Sequence, residues 1–336
     1  MKPYSMLLSL LLLCCHFSFG QYPIVSILDS GHNASLRGLS AVDDRVLWCS
    51  GSNGTVARST DGGRSFEWIT VSGYEKRDFR DIEAFDANTA LIVGIAEPAI
   101  ILKTNDAGKT WVKVFEDSTK GMFLDAMSFD KKGKGIVIGD PINGKIYMAK
   151  TNDFGNTWEK ESGTINAENG ESFFASSGTN IHTLHEKENS FVFVSGGMVS
   201  RLFYGKEKLY LPLMKGKEST GANSIAIWKK KGIVVGGDFA QDTRADSNCV
   251  LFSLGKGADF SIPAVAPGGY KSCVIYLSKN TLIACGTSGV DISYDGGLNW
   301  KNISKQSFHA VQKSKKGHKI FLSGGKGKIA TLILAQ

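Results

Sequence analysis

Short apolar runs, separated by turns rich in Gly, Asp and Ser, recur along the chain. Ala90–Gly94, Gly135–Gly139 and Gly232–Gly236 are three of these runs, and each ends in glycine. Runs of this length bounded by turn residues are typical of β-strands, and a terminal glycine lets a crowded strand turn sharply into a loop. Because no linker or second pattern interrupts the runs, we expect one all-β domain over residues 21–336.

An eight-residue turn recurs four times with the format Ser/Thr-x-Asp-x-Gly-x-Ser/Thr/Asn-aromatic, at 59–66, 104–111, 151–158 and 293–300. Its Asp can accept the backbone N–H groups that follow it, its Gly can adopt positive φ, and its aromatic residue can anchor the next strand. We therefore expect a structural role for these residues. They are Asp61, Gly63, Asp106, Gly108, Trp111, Asp153, Gly155, Trp158, Asp295, Gly297 and Trp300.

The spacing of these turns indicates a repeat protein. Successive turn aspartates are 45, 47 and 142 residues apart, and the last interval is close to three repeats. A period of about 40–50 residues with strand-like content is typical of four-stranded propeller blades. Two repeats have lost the turn, and the glycine-ended runs Val194–Gly197 and Val235–Gly237 mark them. In the first of these two repeats we predict Ser172–Ser177 as the innermost strand.

The last repeat contains only three predicted strands, Phe308–Lys313, Lys319–Ser323 and Lys328–Leu334. The apolar segment Tyr22–Leu28 precedes a repeat that already has four strands. We predict that this segment pairs with the final strand, which joins the two termini and leaves no open sheet edge. The predicted fold is therefore an all-β, seven-bladed β-propeller with four-stranded antiparallel blades.

Residues 1–20 have the composition of a signal peptide. A lysine precedes a short apolar run that is too short to span a membrane, and a small residue lies before the expected cleavage point. The alternative is a membrane anchor. We expect an exported protein, periplasmic or extracellular, without a membrane span once the signal peptide is removed.

The net charge, the cysteines and the short motifs indicate which partners, disulfides and cofactors to expect. The formal net charge of +7 over 336 residues is mild, so we expect no nucleic-acid partner. Cys273 and Cys285 lie opposite each other in a predicted hairpin and could form a disulfide in an exported protein; the alternative is two buried thiols. No Cys/His spacing indicates a metal site and no dinucleotide fingerprint is present, so we predict no cofactor.

The recurring turn resembles the Asp-box of bacterial neuraminidase repeats. The wider pattern is similar to the photosystem II stability/assembly factor-like family of seven-bladed propellers, through the four turns, Leu36–Leu39, Phe79–Ile82 and the closing Ser323–Ile329. Gly139–Pro141 and Glu171–Thr179 resemble a secreted bacterial branch of that family. The resemblance covers the mature chain and implies a chaperone-like, protein-binding role, without implying photosynthesis.

Propeller topology separates two faces. Loops that enter first strands, and loops between second and third strands, lie on the face opposite the Asp-box turns. That face receives the candidate binding residues Arg37, Arg80, Asp140, Glu171 and Asp238. Two guanidinium groups among carboxylates can bind an anionic ligand or a charged side chain of a partner.

A structural role is the alternative for the two arginines. Arg37 and Arg80 could instead pair with neighbouring carboxylates such as Asp81 and Asp125, which would neutralise buried charge around the channel. Under the binding hypothesis, we expect the partner to be another protein or a cell-surface glycan, and we expect a monomer.

Two other functions remain as alternatives to a non-enzymatic, protein-binding scaffold. A glycan-directed enzyme or lectin could use the same face, and hydrolysis would need two carboxylates about 5–9.5 Å apart. The N-terminal Tyr22–Val25 lacks the Arg-Ile-Pro pattern of sialidases, so we predict no catalytic residue. The second alternative is an oxidoreductase-type propeller, for which the residues offer no mechanism.

Overall fold

A computed structural model describes residues 22–161, 165–184, 190–255 and 259–334. The predicted signal peptide, residues 1–20, lies outside the described residues. The described chain consists of β-strands joined by turns, which confirms the predicted all-β class.

The first strands follow one another in hairpin succession. They are β1 (Ile24–Asp29), β2 (Leu36–Ala41), β3 (Leu47–Gly51), β4 (Thr55–Ser59), β5 (Glu67–Thr70), β6 (Phe79–Ala84), β7 (Ala90–Gly94), β8 (Ala99–Thr104), β9 (Val112–Asp117), β10 (Leu124–Phe129), β11 (Gly135–Ile142), β12 (Lys145–Thr151) and β13 (Glu159–Lys160).

The remaining strands continue the same succession. They are β14 (Glu171–Ser172), β15 (Ile181–Thr183), β16 (Phe191–Gly197), β17 (Arg201–Tyr204), β18 (Glu207–Tyr210), β19 (Thr220–Trp228), β20 (Lys231–Asp238), β21 (Cys249–Ser253), β22 (Asp259–Ser261), β23 (Cys273–Tyr276), β24 (Leu282–Gly286), β25 (Gly289–Ser293), β26 (Lys301–Ser304), β27 (Ala310–Lys313), β28 (Ile320–Ser323) and β29 (Ile329–Ile333).

Each strand pairs mainly with its neighbours in sequence. Four sheets contain four consecutive strands each: β2–β5, β6–β9, β10–β13 and β23–β26. Strands β14–β22 form one nine-stranded sheet, because Gly196 of β16 also pairs with Gly221 of β19. The last sheet contains β27–β29 and β1, with Val25 opposite Leu332. The predicted pairing of the N-terminal segment with the final strand is therefore confirmed.

The hydrophobic core lies between neighbouring sheets. Every residue of the second strands β3, β7 and β24 is buried. Trp48 of β3 belongs to the same buried cluster as Phe79 of β6 and Ile92 of β7, so one cluster spans two sheets. Each sheet thus buries its apolar faces against its neighbours.

The innermost strands form a closed circle. Contacts run from β2 to β6, β10, β15, β19, β23 and β27 in turn, and from β27 back to β2. We call the end where these strands begin, at Leu36 and Phe79, the entry end. We call the opposite end, at Ala41 and Ala84, the exit end, and a cavity of about 570 Å³ lies there.

One innermost strand differs from the prediction. The sequence predicts Ser172–Ser177, whereas the strand is β15 (Ile181–Thr183). The prediction is wrong because the backbone of the predicted run turns: the N–H of Ser176 donates to the carbonyl of Phe174 at 2.7 Å, and Gly178 has a φ of +70°. This part of the chain crosses the entry end instead of forming a strand.

Candidate binding site

Two neighbouring innermost strands carry guanidinium groups at the entry end. Arg37 and Arg80 are the second residues of β2 and β6. Arg80 forms a salt bridge with Asp78 at 2.8 Å, and Nη1 of Arg37 donates to the carbonyl of Ser176 at 3.4 Å. Burial, followed by repulsion from Arg80, lowers the pKa of Arg37. Among the residues that the structure describes, Arg37 forms no salt bridge.

The two carboxylates considered as structural partners of the arginines, Asp81 and Asp125, are both buried. Asp81 accepts two backbone N–H bonds at 2.8 and 2.7 Å, and burial raises its pKa to about 8. Asp125 is fully buried, and burial, followed by repulsion from Asp140, raises its pKa well above the usual range. Neither residue forms a salt bridge with Arg37 or Arg80, and Asp78 takes that role for Arg80 alone.

Further basic groups border the two arginines. Burial, followed by the charges of Arg37, Arg80 and Lys328, lowers the pKa of His309 to about 3. The imidazole is therefore neutral near pH 7, and its Nε2 lies 3.2 Å from the hydroxyl of Ser35. We call Arg37, Arg80, Lys328 and His309 the cationic mouth. Burial is the first cause of this lowered pKa, and the charges of Arg37, Arg80 and Lys328 add to it, so three cations lie near the ring of His309.

The carboxylates nearest the cationic mouth compensate its charge incompletely. Oδ1 of Asp140 accepts the backbone N–H of Phe173 at 2.8 Å, and burial raises the pKa of Asp140 to about 6. Because the pKa of Asp125 is raised as well, these two acids carry less negative charge than two exposed aspartates do. The mouth therefore retains positive charge that an anionic group from outside can balance.

A short segment packs beside the cationic mouth. We call Phe173–Thr179 the channel segment. It accepts a hydrogen bond from Arg37, donates one to Asp140, and donates another to the carbonyl of Ser272 at 2.7 Å. A Cβ on its glycine would overlap the carboxylate of Asp81. The segment thus links several sheets across the entry end and fixes the position of Arg37.

The recurring turns at the other end have the hydrogen bonds that their sequence predicts. In the turn of Asp106, the Oγ1 of Thr104 donates to the carboxylate and accepts the N–H of Gly108 at 2.9 Å. Hydrogen bonds from the side chain and backbone of Thr110 lower the pKa of Asp106 to about 2. The indole of Trp111 donates to the carbonyl of Gly108 at 3.1 Å.

The other three turns repeat this arrangement. Asp61, Asp153 and Asp295 each accept a hydrogen bond from a Ser or Thr two residues earlier and another from a side chain four residues later. Their pKa values are all lowered, and Gly63, Gly155 and Gly297 have positive φ. The indole of Trp300 donates to a turn carbonyl, whereas the buried Nε1 of the half-buried Trp158 has no hydrogen-bond partner among the described residues.

The comparisons with known proteins point to one group of propellers. A family model described as photosynthesis system II assembly factor YCF48 matches residues 27–120. A structure described as YCF48 bound to D1 peptide is 17% identical, with a TM-score of 0.62, over 93% of this chain and 97% of that one. YCF48 from Cyanidioschyzon merolae is 16% identical, with a TM-score of 0.59, over 91% and 98%. No curated protein matches in sequence.

The chain therefore resembles the photosystem II assembly factor-like propellers, and the predicted resemblance is confirmed. The fold is also similar to that of the WD40 domain of Neurospora crassa Pan2, at 14% identity and a TM-score of 0.59 over 89% of each chain. The matched range of the YCF48 model includes Arg37 and Arg80 and two Asp-box turns. At these identities the structural matches establish the propeller fold.

Two predicted binding residues do not join Arg37 and Arg80. The carboxylate of Glu171 forms a buried ion pair with Arg201, whose Nε lies 2.8 Å from Oε1, and it also accepts a hydrogen bond from the hydroxyl of Ser195. Oδ1 of Asp238 accepts the N–H of Ala240 at 2.9 Å and so holds the loop after β20. Glu171 is used within its own sheet, whereas Oδ2 of Asp238 is buried without a hydrogen-bond partner among the described residues. We include neither residue in the candidate site.

The sequence left other members of the site unassigned. Lys328 and Asp78 received no role, although Asp78 lies two residues before Arg80, a spacing that places both side chains on one side of an extended chain. The channel segment was assigned to a strand. Its Ser-Ser-Gly run, typical of turns, is the signal that could have identified it.

The predicted cysteine pair lies in the predicted register. Cys273 is opposite Cys285, and both are buried free thiols in the structure. Burial opposes ionisation of Cys273, but hydrogen bonds, from Cys285 first, lower its pKa to about 7, while burial raises the pKa of Cys285. The disulfide stays a prediction.

In the described ranges, no three or more His, Cys, Asp or Glu side chains are grouped so that they could hold a metal ion. No helix in those ranges is long and apolar enough to cross a membrane. The prediction of no cofactor stays a prediction.

Proposed function

We propose that this chain is an exported, seven-bladed, non-enzymatic propeller that binds an acidic segment of a protein partner at the cationic mouth. The observation that carries the proposal is Arg37: a half-buried guanidinium beside Arg80 whose one described hydrogen bond, at 3.4 Å, goes to a backbone carbonyl. A cation that is partly removed from water and has no carboxylate partner is destabilised unless a ligand neutralises it. Such uncompensated groups are typical of functional sites.

The blade count and the export are parts of this proposal. The closed circle of innermost strands, with the nine-stranded sheet counted as two blades, supports seven blades. The composition of residues 1–20 supports export. The relative described as bound to D1 peptide supports a peptide segment as the ligand class, because that protein has the same fold and a peptide partner.

A hydrolytic function at the same end has less support. Of the three carboxylates on which it would depend, Glu171 is paired with Arg201, and Asp140 and Asp238 each accept a backbone N–H bond. A glycosidase needs an acid and a base that are both open to the substrate. We therefore propose binding without catalysis.

A capture experiment tests the proposed function. The chain from residue 21 onward is immobilised and incubated with envelope extract from its source cells, and retained proteins are identified by mass spectrometry. We expect the double variant Arg37→Ala/Arg80→Ala to lose the partner, because both donors to its carboxylate are removed.

Arg64→Ala is the matched control. Arg64 lies in an Asp-box turn at the exit end, where it donates to the carbonyl of Asp61 at 3.0 Å. This variant should retain the partner. Retention of the same partner by the Arg37→Ala/Arg80→Ala variant would contradict the proposal, as would its loss by Arg64→Ala.

A further inference from the structure

An exposed aromatic residue lies beside the cationic mouth. Phe239 follows β20 in a loop of the entry end, and 49% of its surface is exposed. Its ring contacts Phe174 edge to face, with centroids 5.8 Å apart, and Tyr270 at 6.3 Å. We call Phe174, Phe239 and Tyr270 the aromatic ladder. Tyr270 is buried and Phe174 is half-buried, so Phe239 is the ring of the ladder that is open to a partner, and the other two support it from below.

The aromatic ladder is continuous with the cationic mouth. The hydroxyl of Tyr270 lies 3.2 Å from the hydroxyl of Ser176 and donates to Asn223 at 2.7 Å. The carbonyl of Ser176 accepts the hydrogen bond of Arg37. Ser176 of the channel segment therefore contacts both Arg37 and Tyr270, which places the aromatic ladder beside the cationic mouth.

The loop that carries Phe239 is held in place before any ligand binds. The N–H of Phe239 donates to the carbonyl of Ser219 at 3.1 Å, and Asp238 accepts the N–H of Ala240 at 2.9 Å. A fixed aromatic side chain contributes more to affinity than a mobile one, because less conformational entropy is lost on binding. The role of Asp238 is thus to position Phe239.

We propose that the aromatic ladder is a second subsite of the mouth and binds a large apolar side chain next to the acidic group. The proposal rests on the proposed function, and it narrows the ligand class to a peptide segment in which a carboxylate and an aromatic or branched aliphatic residue are close neighbours. The positive charges of Arg37 and Arg80 attract the carboxylate of the peptide, and the exposed face of Phe239 contacts its apolar side chain.

The test is a selection of random peptides displayed on phage against the immobilised chain from residue 21 onward. Peptides recovered from the wild-type chain should combine Asp, Glu or a free carboxylate with a large apolar residue. A recovered peptide is then synthesised, and its affinity is measured by fluorescence anisotropy for the wild-type chain and the variants.

Three variants measure how much the aromatic ladder contributes to the affinity for the peptide. Phe239→Ser should weaken binding about tenfold, the size typical of a contacting interface aromatic. Phe239→Leu should retain most of the affinity, because it restores an apolar contact. Tyr294→Ser, at a residue 57% exposed in an Asp-box turn, should leave affinity unchanged. Thermal melts of all three confirm that the fold is intact.

The outcomes separate this inference from the proposed function. Recovered peptides that are acidic without an apolar preference, or an affinity unaffected by Phe239→Ser, overturn the apolar subsite alone. Failure to enrich any peptide, or equal binding by Arg37→Ala/Arg80→Ala, contradicts both proposals. Binding of acidic oligosaccharides in place of peptides overturns the assigned ligand class.

Discussion

Asp106 and Asp140 are the same residue type in two regions with opposite electrostatics. At the exit end, hydrogen bonds from Thr110 lower the pKa of Asp106 to about 2. At the entry end, burial raises the pKa of Asp140 to about 6, with one backbone N–H to oppose it. The hydrogen-bonded turn stabilises the fold, whereas the poorly compensated mouth stores unfavourable interactions that a ligand can relieve.

Arg201 and Arg37 also differ in how their charges are compensated. Arg201 is buried and fully paired with Glu171, so its charge is balanced inside the protein. Arg37 is half-buried without a salt bridge among the described residues, beside a second cation. The charge of the buried pair is neutralised within the protein, whereas the unpaired cation is stabilised when a ligand supplies a carboxylate. For this reason we assign a binding role to the cationic mouth and a structural role to the pair of Glu171 and Arg201.

The largest stability effect should come from breaking the internal pair. Glu171→Ala should lower the free energy of unfolding by about 3–5 kcal/mol, because Arg201 is left buried without its partner. Urea denaturation of the purified variant measures this. The double variant Glu171→Met/Arg201→Met should recover much of the loss. A loss below about 1 kcal/mol for Glu171→Ala would mean that the carboxylate is available for binding after all.

Asp140→Asn should raise the free energy of unfolding, whereas Glu171→Ala lowers it. The folded-state pKa of about 6 lies above the ordinary value of 3.8, so ionisation of Asp140 costs stability above pH 6 and the cost disappears as pH falls below about 4. The free energy of unfolding of the variant should exceed that of the wild-type chain by up to about 3 kcal/mol at pH 7.5 and should equal it at pH 3.5. Denaturation midpoints at both pH values measure the gain.

Asp106→Asn is the control for that experiment. The lowered pKa of Asp106 means that its ionised form stabilises the fold, and this contribution is lost as pH falls through about 2. Its replacement should therefore destabilise at pH 7.5. If both variants changed the free energy of unfolding in the same direction at pH 7.5, the electrostatic difference between the entry end and the exit end would be contradicted.

A smaller loss should follow from Thr104→Val. The side chain of Thr104 is buried, and its Oγ1 accepts the N–H of Gly108. Removal of this acceptor leaves a buried donor unpaired and should cost about 1–3 kcal/mol. Differential scanning calorimetry measures the loss, and affinity for the captured partner should stay at the wild-type value. A weaker affinity with an unchanged melting temperature would place function at the turns.

Local and periodic features of the fold could be predicted from the sequence. The Asp-box turn is specified by eight consecutive residues, so its hydrogen bonds follow from the residue types alone. The pairing of β1 with β29 followed from a repeat that lacked one strand. The entry-end position of Arg37 and Arg80 followed from strand direction.

Features that depend on distant residues could not be predicted. Glu171 and Arg201 are 30 residues apart, and no local pattern pairs them. The channel segment contains Phe173–Ala175, which reads as a strand in isolation, yet its backbone bonds are made to several sheets. The pKa of His309 is lowered by burial and then by charges from three separate sheets, and both causes arise only when the ring of strands has closed.

Hydrogen–deuterium exchange of the captured complex tests the central claim most directly. Amide exchange is measured on the chain with and without its partner, and the entry end is compared with the Asp-box turns. We predict new protection around Arg37, Arg80 and the channel segment, with unchanged exchange in the turn that contains Asp106. Protection centred on that turn, with the mouth unaffected, would contradict the account.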